Sequence, residues 1–334
     1  MANPPKRDLL SIADIASDLP EIVERAHQWK QWRRRGTHRQ PLRGKNLAMI
    51  FEKPSTRTRS SFEIAMTDLG GHAVYLSPRD MQLGRGETIP DTARVLSRYY
   101  DGIVYRAFRW QDEATLAQWA TVPVVNALDD REHPCQIVAD LLTLYEAWGG
   151  KFAGRRLAYI GDGNNVLNSL LQGAAIMGIS FVAAIPEKYR PAADLVARAE
   201  GWAKASGATV RLVTAPAEAA RDADAIYTDV WVSMGDESEE ARRTQDFQGY
   251  QINDALLDLG RPGCFALHDL PAHRGLEITD AVMDGERQRI WDQAENRLHA
   301  QKAILERLLS PGSGNRPRGG GPLTRRVRSR GSGS

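Results

Sequence analysis

Short apolar runs alternate along this chain with segments whose apolar positions recur every three to four residues. The runs "NLAMIF" (ending at residue 51), "HAVYLS", "GIVYR" (102–106), "VPVVNAL" (122–128), "RLAYIG" (156–161), "ISFVAAI", "TVRLV", "AIYTDV" (225–230) and "CFALHD" (264–269) read as buried strands. Segments 56–69, 136–147, 166–177 and 191–205 carry the helical period. Strand and helix in strict alternation imply parallel sheets built from right-handed crossovers. The fold class is therefore α/β, with two doubly wound parallel-sheet domains. "EAWGGKFAGRR", residues 146–156, interrupts the alternation with three glycines, which places one domain at 1–150 and the other at 151–309. A last helix over 288–309, with an apolar stripe at 290, 294, 298, 305 and 308, is expected to pack back on the first domain.

The stretch "FEKPSTRTRSSFEIAMTDLGG" (51–71) places hydroxyls and guanidiniums where the first strand ends and a helix begins. Ser55 is the natural N-cap, and Gly70 and Gly71 close the helix. Free N–H groups and the positive end of the helix dipole make such a start an anion site; Thr56, Thr58 and Arg57 would strengthen it. An ordinary capped helix with solvated arginines would look the same in isolation. In open α/β sheets, however, ligands bind beyond the carboxyl ends of the strands. Ser55, Arg106, His133, Asn165, Asp229 and Asp269 all stand at such exits, so they are expected to face one crevice between the halves. Cations and hydroxyls fall in the first half, fit for a phosphorylated substrate. Asn165, Asp229 and Ser233 fall in the second, fit for the carboxylate and ammonium of an amino acid.

With 334 residues the chain is long enough for two cores. Its two cysteines, Cys135 and Cys264, cannot form a disulfide framework or a four-thiolate metal site and read as free thiols. No apolar stretch is long enough to span a bilayer, and the amino terminus lacks a signal-peptide layout, so a cytoplasmic location with no membrane partner is expected. The net charge of +2 conceals an uneven distribution: six arginines lie beyond residue 310, which leaves about −4 for residues 1–310. That tail (310–334), rich in Gly, Pro, Ser and Arg, reads as disordered. It has no aromatic residues to stack on bases, which argues against nucleic acid as a partner.

"STRTR" (55–59), "QLGRGET" (82–88), "HPCQ" (133–136), "GDGNN" (161–165), "DVWVSMG" (229–235), "LPAHRG" (270–275) and "AENR" (294–297) together resemble the ordered signatures of the aspartate/ornithine carbamoyltransferase superfamily, with "SMG" marking the ornithine branch. The resemblance implies transfer of a carbamoyl group from carbamoyl phosphate to L-ornithine, giving citrulline and phosphate, within arginine biosynthesis. It implies no metal or organic cofactor, and a homotrimer with shared active sites. It assigns Ser55, Thr56, Arg57 and Thr58 to the phosphate, and Arg106, His133 and Gln136 to the carbamoyl group, with Asp269, Leu270 and Arg297 contacting carbamoyl phosphate. Gln82 would come from a neighbouring subunit. Asn165, Asp229, Ser233 and Met234 would hold ornithine, and Thr58, Arg106, His133 and Asp269 would act in catalysis.

One position departs from the family pattern. "HDLP" (268–271) puts Asp269 where His-Cys-Leu-Pro is usual. A carboxylate beside an ammonium typically favours the charged amine by ~1–3 pKa units, and each unit costs about 1.4 kcal/mol in free amine at neutral pH. Asp269 would thus raise the pH optimum unless burial protonates it or it serves as general base. Three other readings stand beside this one: a sibling transferase acting on putrescine or an acylated ornithine, a catalytically weak binding homologue, and a nicotinamide enzyme. The last rests on "IGDGNNV" with Glu187 as ribose ligand, but Val166 occupies the third fingerprint glycine position.

Overall fold

The computed structural model describes residues 6–77, 79–83, 86–232 and 237–310. The expected tail, Ser233 and Met234 lie outside the described residues, apart from Ser310. Each of the nine apolar runs forms a strand: β1 (Asn46–Phe51), β2 (His72–Leu76), β3 (Gly102–Arg106), β4 (Val124–Leu128), β5 (Arg156–Ile160), β6 (Ser180–Ala184), β7 (Val210–Val213), β8 (Ala225–Thr228) and β9 (Phe265–His268). They make two all-parallel sheets, ordered β2-β1-β3-β4 and β7-β6-β5-β8-β9. Helices cover both faces, which is why β3 is buried along its whole length and reads as an unbroken apolar run.

Among the described residues, seven helices of ten residues or more precede the C-terminal one: α1 (Leu19–Arg34), α2 (Thr56–Asp68), α3 (Ile89–Tyr99), α4 (Trp110–Trp119), α5 (Pro134–Ala147), α6 (Asn165–Ile176) and α7 (Ala193–Ser206). The chain crosses between the sheets from Ala147 to Arg156, where Gly149, Gly150 and Gly154 all take left-handed backbone angles that other residues rarely adopt. The two lobes nonetheless share one apolar core, which runs from Met49 and Val125 through Leu141 on α5 to Leu170 on α6 and Tyr159 on β5. Close packing of α5 on α6 requires Gly173, because a Cβ there would lie 2.6 Å from Ile137. No described helix is long and apolar enough to cross a membrane.

The C-terminal helix (Ile290–Leu309) packs on α1, α2 and α5 of the first lobe and also touches β9. Its buried face corrects the expected stripe. Ala294, Leu298 and Leu308 are only half-buried, whereas Gln293, Asn296, Arg297, His299 and Gln301 are enclosed. Three neighbouring helices surround this one, so its polar side faces protein and needs internal partners. Asn296, for example, accepts from the buried Lys30 ammonium (2.8 Å) and donates to Glu146 (3.0 Å).

Candidate active site between the lobes

A cavity of about 320 Å³ opens between the carboxyl ends of the two sheets. All six strand-exit residues line it: Ser55, Arg106, His133, Asn165, Asp229 and Asp269. Thr56, Arg57, Thr58, Leu270 and Arg297 line it as well. Ser55 is the N-cap of α2, its hydroxyl accepting from the Thr58 N–H at 3.3 Å, and the first turn of that helix carries no acid. The helix start thus keeps its positive end for a ligand. Arg297 reaches in from the C-terminal helix and donates to the Thr58 hydroxyl.

The first lobe's wall is crowded with cations. Burial, then the neighbouring Arg297 and Arg57, lower the Arg106 guanidinium to about 10, with Asp269 opposing. Burial also lowers Arg297, against the pull of Asp269. The Nε atoms of Arg106 and Arg297 are buried with no hydrogen-bond partner. Guanidiniums that burden one another in this way are relieved by an incoming anion. His133 begins α5 and donates its backbone N–H to Ser169 (2.9 Å). Burial, then the charges of Arg297 and Arg106, push its imidazole well below the ordinary value. It is neutral at pH 7, with one ring nitrogen able to donate and the other to accept.

The second lobe supplies carboxylates. Asn164, absent from the expected set, caps α6 with its carbonyl oxygen and donates to Asp229 at 2.6 Å. Its neighbour Asn165 ties the lobes together by donating to the Asp129 carbonyl. Burial raises both Asp229 and Asp269, and for Asp229 the adjacent Asp269 raises it further. Two carboxylates in one buried site cannot both ionise freely, so the pair gives up its second proton less readily than separated acids would.

Asp229, His268 and Asp269 offer ligand atoms within 4.8 Å of one another, a spacing suited to a cation. His268 has no ring nitrogen to give, however. Its Nδ1 accepts from the Leu270 N–H (2.9 Å) and its Nε2 faces buried Glu277 (3.0 Å). That pairing instead holds Leu270 in a left-handed backbone conformation, φ 66°, and so aims the turn after β9 into the cavity.

Not every expected residue lines the cavity. Gln136 is fully buried on α5 and is not part of the lining, and Gln82 stands elsewhere on the first lobe. Lys53, Pro271 and His273 line it without having been singled out, although "EKP" and "LPAHRG" contain them. Glu187, the candidate ribose ligand, lies outside and pairs with Arg190.

Two family models divide the chain: "Aspartate/ornithine carbamoyltransferase, carbamoyl-P binding domain" matches residues 7–146, and "Aspartate/ornithine carbamoyltransferase, Asp/Orn binding domain" matches 153–308. The chain is 54% identical to an ornithine carbamoyltransferase of Methanoculleus marisnigri over 92% of its own length and 98% of the relative's. It is 52% identical to a protein of Thermoplasma volcanium named as a catabolic ornithine carbamoyltransferase, over 91% and 99% of the two chains. The solved ornithine carbamoyltransferase of Pyrococcus furiosus superposes with a TM-score of 0.88 at 48% identity, covering 93% of this chain and 99% of that one.

Proposed function

The chain belongs to the aspartate/ornithine carbamoyltransferase family, and on that footing we propose that it transfers the carbamoyl group of carbamoyl phosphate to the δ-amine of L-ornithine, releasing L-citrulline and phosphate. The observation that carries this reading is one cavity with three guanidiniums on one wall and two carboxylates on the other. Residues 1–150 with the C-terminal helix would be the carbamoyl-phosphate domain, and 151–309 the ornithine domain.

In this reading the α2 start, through Ser55, Thr56, Arg57 and Thr58, holds the phosphate, with Arg297 beside it. Arg106, neutral His133 and the Thr58 hydroxyl polarise the carbamoyl oxygen as negative charge develops there. Gln136 steadies the carbamoyl group, and Leu270 shapes the cavity next to it. Asn165, Asp229, Ser233 and Met234 hold the amino-acid end of ornithine. The neutral δ-amine attacks the carbamoyl carbon; the C–N bond forms, the C–O bond to phosphate breaks, and an amine proton leaves with phosphate. Asp269 takes the earlier proton, the one the δ-ammonium must lose before it can attack.

Carbamoyl phosphate is a mixed anhydride, so transfer runs downhill toward citrulline, and we assign the protein to arginine biosynthesis in the cytoplasm. A homotrimer with shared sites is the proposed assembly. Two features support it. Ser55 and Thr56 also line an adjoining hollow of about 410 Å³ beside α2, room for a neighbour's Gln82 segment. Ile64, Val95, Tyr99, Phe108, Trp110 and Trp119 are exposed, all on the first lobe.

The test is citrulline formation from carbamoyl phosphate and ornithine, run beside putrescine and N-acetylornithine. Product from ornithine alone is expected; product only from another amine, or none, would sink the assignment. Rapid phosphorolysis of citrulline would move the protein from arginine synthesis to ornithine recovery.

A further inference from the structure

Asp140 is fully buried on α5, one helical turn beyond Gln136, and lines no part of the cavity. Its Oδ1 accepts from the side-chain amides of Gln136 (2.8 Å) and Gln293 (2.7 Å), and its Oδ2 pairs with the Tyr227 hydroxyl (3.0 Å). Those three partners belong to α5, the C-terminal helix and β8. Gln293 in turn accepts from the backbone N–H of His268 (2.9 Å), the residue before Asp269.

The direction of every bond in this chain follows from its far end. A backbone N–H can only donate, so Gln293 must present its carbonyl oxygen to His268. Its NH2 group is then left for Asp140, whose Oδ1 must accept. With Oδ1 an acceptor, Gln136 must also turn its NH2 toward Asp140 and its carbonyl oxygen away. That oxygen is buried and has no hydrogen-bond partner. An unpaired buried acceptor costs about 1–3 kcal/mol, which a reversed amide would relieve at once were Asp140 a donor. The arrangement holds whether or not Asp140 is protonated: burial pushes its carboxyl up to about 7, but a proton would sit on Oδ2, where the Tyr227 hydroxyl can equally well accept.

We propose that Asp140 is a positioning residue: with Gln293 it relays a fixed donor on β9 of the second lobe to Gln136 on the first, locking the Gln136 carbonyl oxygen in the orientation that receives the N–H groups of the carbamoyl moiety. The relay rests on the carbamoyl-transfer reading, because Gln136 matters only if an NH2-bearing acyl group binds beside it. It also ties the turn carrying Asp269 to the helix carrying Arg297, since Gln293 lies one turn before Arg297.

The relay serves the carbamoyl end of the substrate and leaves the phosphate end to α2, and this asymmetry is what an experiment can read. Asp140→Leu removes the acceptor that faces the Gln136 NH2 group, so the Gln136 amide is free to turn over. KM for carbamoyl phosphate should rise by about tenfold or more, the loss of one hydrogen bond to a substrate. The inhibition constant of inorganic phosphate, which has no carbamoyl group, should stay within about twofold. Asp140→Glu keeps the charge but carries the acceptor one methylene further, and the same split is expected, so poor folding of the first variant leaves the test intact. Gln136→Leu should show the split too, and the Asp140→Leu/Gln136→Leu double variant should be no worse than Gln136→Leu alone. Phosphate and carbamoyl phosphate weakening in parallel, or the double variant multiplying the two losses, would overturn the relay. A wild-type protein that makes no citrulline would instead overturn the reading beneath it.

Discussion

Replacing Asp269 by cysteine should shift the pH dependence of ornithine use to lower pH. Asp229 and Asp269 present oxygens within 4.8 Å of each other in a buried site. With an effective dielectric constant near 20, two unit charges at that separation repel by about 3.5 kcal/mol, equivalent to about 2.5 pKa units. The sign follows from the direction of the shift. Burial and the neighbouring acid raise Asp229, so in the wild type it becomes fully anionic, and ready for an ammonium, only at raised pH. A neutral thiol at position 269 removes the like charge and leaves the burial, so the Asp229 titration should move down by about 2 units. The inhibition constant of L-norvaline, which keeps the α-ammonium and lacks the δ-amine, isolates this step from amine deprotonation. Measured from pH 5 to 10 in both proteins, its acid limb should lie about 2 units lower in Asp269→Cys. In the wild type, kcat/KM for ornithine should climb between pH 7 and 9. If the two norvaline profiles coincide to within about half a unit, the carboxylates do not act on one another and the account of Asp269 fails.

Other perturbations test the framework around the site. Burial, and then Asp129 beside it, hold Glu113 neutral well above the ordinary carboxylate range; the unfolded chain ionises it at neutral pH, so its cost to folding grows as pH rises. Glu113→Gln should therefore raise the urea midpoint at pH 8 and leave it unchanged at pH 4, and an equal gain at both would refute the assignment. Arg297→Gln removes a buried cation that donates to Thr58, and steady-state kinetics should show KM for carbamoyl phosphate rising about 10- to 150-fold, the range for hydrogen bonds to charged groups. Gly163→Ala would set a methyl 2.0 Å from the Tyr189 carbonyl and 2.6 Å from Pro191; overpacking of ~1–3 kcal/mol should lower Tm by several degrees in calorimetry. A chain ending at Ser310 should keep the full kcat in the citrulline assay, because among the described residues none that lines the cavity lies beyond Arg297.

Sequence alone determined the strands, the helix between Ser55 and Gly70, the glycine-rich crossover and the set of residues at strand exits. These are local properties: a strand covered on both faces must be apolar throughout, and a parallel sheet sends each strand's end to the same side of the layer. Tertiary structure decided which polar side chains are interior. Gln293 and Asn296 lie off the apolar stripe of the C-terminal helix, and Asp140 is a carboxylate, yet all three are buried because α5 and the C-terminal helix are enclosed by neighbours distant in the chain. Asn164 differs in kind: its capping role is local, but its bond to Asp229 joins residues 65 apart. The mutual burden of Arg106, Arg297 and Arg57 within the first lobe, and of Asp229 and Asp269 within the second, likewise arises only when distant stretches of chain fold together, since charge acts through distance in space rather than along the chain.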